Sequence, residues 1–145
     1  MGAYNSRMPD SALDAAYRAT DYRVEDAPHG PFVIRVGEMS VDLEQLLFDE
    51  VESDWAYLTA CNPGSVPLAG EENFHRTMEL REVLRARWPR HYFGVSTGRD
   101  GTWREPSFLV LGMTEGDAVE IGRRFGQNAV VVGRLAEPAR LVWVA

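Results

Sequence analysis

Lysine is absent from this 145-residue chain, and all 15 basic side chains are arginine. Every cationic contact therefore has the planar, bidentate geometry suited to carboxylate or phosphate, although a GC-rich genome produces the same composition with no functional cause. Cysteine is almost absent too. The single Cys61 excludes an intramolecular disulfide and the common cysteine-based zinc sites. His29, His75 and His91 stand at no close ligand spacing, so neither a metal nor a cofactor is expected. Positive charge is in deficit, with a net charge of −7. That argues against nucleic-acid binding, which needs a basic surface to neutralise phosphates. No apolar run approaches the roughly 20 residues that cross a membrane. The first ten residues, MGAYNSRMPD, contain no apolar signal region, and the expected location is the cytoplasm.

What is present is ordinary for a globular protein: 45% hydrophobic and 26% charged residues. A chain of this length fits a single domain, residues 1–145, burying roughly two-thirds of its unfolded surface. No repeat, low-complexity tract or linker divides it. Residues 1–30 read as a peripheral segment holding one short helix near Ala12–Tyr17, capped by Asp10 or Ser11. Strands are expected at 32–36, 55–60, 91–95, 107–111, 129–132 and 141–144, from β-branched and aromatic runs closed by Gly, Pro and Asn. Leu43, Leu46, Leu47 and Val51 have helical spacing, and a longer helix over 71–88 is ended by Pro89. Thr114 and Asp117 resemble a capping box opening a helix that stops at Gly126.

From residue 55 to 132 this order is strand-helix-strand-strand-helix-strand, so the expected fold is α+β with a ferredoxin-like core and added N- and C-terminal strands. That topology carries the loop at 61–65, the start of the 71–88 helix, the 98–105 hairpin and the 123–128 segment to one end of the sheet, here called the top. Four polar segments distant in sequence would then meet, which is how sites are commonly assembled. A helical wheel puts Asn73, Thr77, Leu84 and Trp88 on one inward stripe flanked by Phe74 and Met78, with Arg76 at its edge. An inward amide such as Asn73 needs a partner. On the second helix Ala118, Ile121, Gly122 and Phe125 face the core, and Arg124 borders them, whereas Arg123 points away.

The expected ligand-binding set is Asn62, Ser65, Asn73, Arg76, Arg124, Gln127 and Asn128, with Glu72 and Glu105 as candidate general acids or bases. The Asn62-Pro63-Gly64-Ser65 loop reads either as an anion-receiving set of amides at a helix start or as a plain turn. Cys61 reads as a small buried hydrophobe rather than a nucleophile. Ser65 lacks a nucleophile-elbow sequence and a well-placed histidine.

Four stretches carry a resemblance. They are Trp55 to Ser65, Glu71 to Arg76, Glu105 to Phe108, and Gly122 to Ala129. In these the chain resembles the bacterial family catalogued as domain of unknown function 3293, which implies membership and a site location but no reaction. Two functions fit these residues. One is a site for a polar or anionic small molecule, enzymatic or not. The other is a protein–protein interaction module, a homodimer included, whose polar cluster is structural.

Overall fold

The computed structural model describes residues 10–101 and 103–144. Of the residues 1–10 on which the expectation about a signal region rests, 1–9 lie outside them, as does residue 102 of the 98–105 hairpin.

Helix α1 (Ser11–Arg18) is opened by Asp10, whose carboxylate accepts from the amides of Ala12 and Leu13. It has no buried residue. Strands β1 (Thr20–Val24) and β2 (Phe32–Ile34) form an antiparallel pair. Helix α2 (Val41–Glu50) starts at Ser40, whose hydroxyl accepts from Leu43 N–H. It stops where Val51 takes a left-handed conformation, so Val51 is exposed and does not extend the buried row Leu43, Leu46 and Leu47. Next come β3 (Asp54–Leu58), a 3₁₀ turn at Pro63–Ser65, α3 (Gly70–Arg87), β4 (His91–Gly98) and β5 (Arg104–Leu111). Helix α4 (Glu115–Arg124), capped by the Thr114 hydroxyl, then leads to β6 (Ala129–Arg134) and β7 (Arg140–Trp143).

The seven strands make one sheet in the order β2-β1-β4-β5-β3-β6-β7, with every neighbouring pair antiparallel. The alternation of side chains along each strand divides the core into two layers. Ala56, Leu58, Phe108, Val110, Val130 and Val132 face α3 and α4, meeting Leu80, Leu84, Ala118 and Ile121. Trp55, Tyr57, Leu109, Leu111 and Val131 face the other way, against Leu43, Leu46 and Leu47 of α2. Burial on both faces explains the uninterrupted apolar runs of β5 and β6. The sheet is curled until its outer strands approach each other. Val36, just past β2, forms a parallel bridge with Ala139, just before β7. Gly37 N–H donates to Ala139 O at 2.8 Å, and Ala139 N–H donates to Glu38 O at 3.0 Å.

Three elements depart from the sequence reading. Strand β1 is unforeseen and lies inside the sheet, between β2 and β4, not in a loose peripheral segment. Strand β5 begins at Arg104 instead of 107 and includes Pro106. On α3 the buried row is Thr77, Leu80 and Leu84, while Phe74 is 58% exposed. Gly122 packs closely, as its mid-helix position suggests: a Cβ there would lie 2.9 Å from Val130 Cγ1.

Candidate functional site

The register fixes which segments share the top of the sheet. Thr20 pairs with Gly98, Leu58 with Phe108, and Ala129 with Trp143, so β1, β5 and β6 begin there while β3, β4 and β7 end there. On the face covered lower down by α2, this end holds a cavity of about 310 Å³. Its floor is the sheet, through Thr20, Tyr22, Tyr57, Ser96, Glu105 and Ser107. Its roof is Leu13 and Tyr17 of α1, with Asn62, Ser65 and Pro67 from the loop after β3. Helix α1 is tied down by polar and ring contacts. The Tyr17 and Ser65 hydroxyls lie 2.7 Å apart, Trp143 Nε1 donates to Asp14 at 3.0 Å, and the Tyr17 ring meets Trp143 edge-on at 5.6 Å.

Glu105 is the carboxyl in this cavity. Its Oε2 accepts from Asn62 Nδ2 at 2.7 Å, and Oε1 accepts no hydrogen bond among the described residues. Burial pushes its pKa up, and the Asn62 amide opposes that only in part. Behind it, the Ser107 hydroxyl donates to Glu105 O at 3.0 Å and lies 3.2 Å from the Ser96 hydroxyl. Tyr57 donates to Arg23 O and Tyr22 to Tyr17 O, both at 2.7 Å. Burial holds both phenols well above their usual range, so they stay neutral donors.

Asn62 is left-handed, φ 48°, a conformation that asparagine tolerates better than most residues. Asn73 holds it there. The Asn62 amide N–H donates to Asn73 Oδ1 at 2.9 Å, and Asn73 Nδ2 donates back to Asn62 Oδ1 at 2.7 Å. Leu68 N–H also donates to Asn62 Oδ1, at 2.9 Å. The inward amide of α3 thus finds its partner in the loop, and the fixed Asn62 in turn orients Glu105. Arg76 spans two segments: Nε donates to Ala60 O at 2.6 Å and Nη2 to Phe125 O. Gln127 Nε2 donates to Cys61 O at 3.0 Å, and Asn128 Nδ2 to Ser65 Oγ at 2.9 Å.

Seven sequence candidates therefore gather at this end: Asn62 bonds Asn73 and Glu105, Asn128 bonds Ser65, and Arg76 and Gln127 bond backbone carbonyls of the same segments. Asn62, Ser65, Glu105 and Gln127 line the cavity; Asn73, Arg76 and Asn128 brace its wall. Two candidates stand apart. Glu72 is exposed on the first turn of α3, with no hydrogen bond or ion pair to another described residue. Arg124 is exposed as well, its guanidinium lying over the Phe125 ring at 5.7 Å. The loop amides receive no anion in this arrangement. Cys61 N–H donates to Thr59 Oγ1, Asn62 to Asn73, Gly64 to Gly126 O, Ser65 to Asn62 O and Val66 to Pro63 O. Cys61 itself is buried, with Sγ 3.5 Å from Thr77 Oγ1, as a small hydrophobe would be.

Sequence reasoning missed the residues that α1 and the strands bring, Tyr17, Thr20, Tyr22, Tyr57, Ser96 and Ser107, together with Trp103 of the β4–β5 connection. A signal existed for two of them. Ser96 and Ser107 are buried hydroxyls within strands, and such groups ask for a polar neighbour on the same face. Among the described residues no group of three or more His, Cys, Asp or Glu is arranged to hold a metal ion, and no arginine or histidine lines the cavity. No helix among them is long and apolar enough to cross a membrane. Chemically, the cavity offers hydroxyls, amides, one carboxyl and aromatic walls.

Compared with known proteins, residues 58–130 match the family model described as "Protein of unknown function (DUF3293)". No curated protein and no solved structure matches.

Proposed function

The chain belongs to the DUF3293 family, and because that membership carries no activity, we propose from the cavity that the protein binds a small molecule at the top of its sheet. One observation carries the reading: a roofed cavity holds a half-buried carboxyl with one oxygen that no described residue bonds. That oxygen is open to solvent, and a ligand that displaces water from it has to supply a hydrogen-bond donor in its place. The ligand is polar at one end and apolar along its body, matching a floor of hydroxyls and a roof of Leu13 and Tyr17. An anion is disfavoured, since Arg76 is committed to two backbone carbonyls and Arg124 is outside. Catalysis, if any, would use Glu105 as the proton carrier, because its raised pKa brings the protonated form towards neutrality.

For the fold we read residues 55–132 as a ferredoxin-like unit within a single domain. Support comes from the strand order β4-β5-β3-β6 and from α3 and α4 lying on one face. A cytoplasmic location remains part of the proposal.

The test is a thermal-shift screen of the full chain against neutral, cationic and anionic metabolites. A ligand at about 100 times its Kd adds about 2.7 kcal/mol, a shift of several degrees at this size. The hit should vanish in Ala129→Leu, which fills the cavity from β6, while that variant still melts cooperatively. A second reading, the docking module, rests on an exposed apolar row: Met39, Val41, Phe48 and Val51 around α2. A flat screen together with self-association that Phe48→Ser abolishes would carry that reading instead.

A further inference from the structure

The cavity is asymmetric in charge. Its lining contains one acidic side chain, Glu105, and no basic one among the described residues. A ligand carboxylate or phosphate would therefore enter next to a carboxyl, with no basic side chain among the described residues of the lining to receive it. A neutral ligand would leave Glu105 without a charge partner whenever that carboxyl is ionised. A cation meets both the charge and Oε1, which no described residue bonds, through a charge-assisted hydrogen bond of the stronger kind.

The walls fit the same ligand. Tyr17 and Trp103 both line the cavity, their rings 6.4 Å apart and steeply inclined at 68°. Tyr22 and Tyr57 form a second edge-to-face pair at 5.4 Å on the floor. Aromatic surfaces attract cations through the ring quadrupole and also accommodate an apolar body. The protein's net charge of −7 favours the approach of cations over anions.

Resting on the cavity reading above, we propose that the ligand is an organic ammonium ion with an aromatic or aliphatic body, its charge seated on Glu105 Oε1. Asn62 is the positioning residue. It is fixed by Asn73 and Leu68, holds Oε2 through its Nδ2, and leaves Oε1 for the ligand.

Phenethylamine, 2-phenylethanol and phenylacetate share a ring and chain length and differ in head-group charge. Titration calorimetry of the full chain with each at neutral pH decides the matter. Phenethylamine is expected to bind at least tenfold more tightly than 2-phenylethanol, and phenylacetate most weakly. Glu105→Gln, which keeps an oxygen acceptor for Asn62, should remove the preference for the amine over the alcohol. If the alcohol or the acid binds as tightly as the amine, the ammonium assignment is overturned while the cavity reading stands. If none of the three binds, both fall. Should Glu105→Gln fail to fold, the wild-type ranking alone still decides.

Discussion

Glu105 holds its proton more tightly in the folded protein than in the unfolded chain, because burial penalises the anion more than the Asn62 amide stabilises it. The sign of the pH effect follows. Well below the ordinary glutamate pKa of about 4.3, both states are protonated and the group is neutral to stability. Above it the unfolded chain ionises first, so stability falls as pH rises until the folded carboxyl ionises too, and is then level. Urea unfolding between pH 4 and 8 should show wild type losing stability relative to Glu105→Gln as pH rises. Parallel curves for the two would sink the idea. At this scale the sequence was informative where a residue type sat awkwardly. An amide on a helix's inward stripe, Asn73, announced a partner, and the partner is Asn62. Arg124 was less legible. It is the last residue of α4, where a long side chain leaves the helical stripe and lies across the neighbouring Phe125 ring.

Strand β1 depends on a close approach. A Cβ on Gly94 of β4 would lie 2.1 Å from Arg23 O and 2.7 Å from the Tyr57 hydroxyl. The backbone oxygen cannot move aside without breaking the β1–β4 ladder, and Tyr57 is bonded to that same oxygen. Gly94→Ala is therefore expected to destabilise by about 3 kcal/mol, the upper end of ordinary overpacking, measurable by chemical denaturation. A loss under about 0.5 kcal/mol, typical of surface changes, would contradict this account. The pattern of β1 was present in the sequence, since Thr20, Tyr22 and Val24 are buried and Asp21 and Arg23 are not. Five residues directly after a helix, however, make a weak period-two signal. The start of β5 was hidden for another reason: Pro106 reads as a strand breaker. It is tolerated because the β3 ladder ends at Phe108, and beyond it Pro106 O accepts from Thr59 Oγ1 at 2.8 Å and from Cys61 Sγ at 3.8 Å.

The molecule as a whole divides into parts of unequal stability. Strands β3, β5 and β6 are buried on both faces, whereas α1 has no buried residue and is tied down by polar and ring contacts. Native-state hydrogen exchange should find the α1 amides far less protected than those of β5, since opening energies track burial. Equal protection would mean that the roof is as fixed as the floor. The strand-and-helix order of the core could be read from periodicity and turn residues, which are local. The cavity could not, because it exists only through contacts between α1, the 62–67 loop and strands far along the chain. The bridge between Val36 and Ala139 belongs to the same long-range class, and it sets the order of assembly. Joining such distant segments incurs a large loop-closure entropy before any contact offsets it. The β4–β5 hairpin and the helices are local and can form early, whereas this seam forms late. The curl of the sheet is then expected to close after the local elements, and the cavity, whose walls come from α1, the 62–67 loop and distant strands, is completed only as those long-range contacts form.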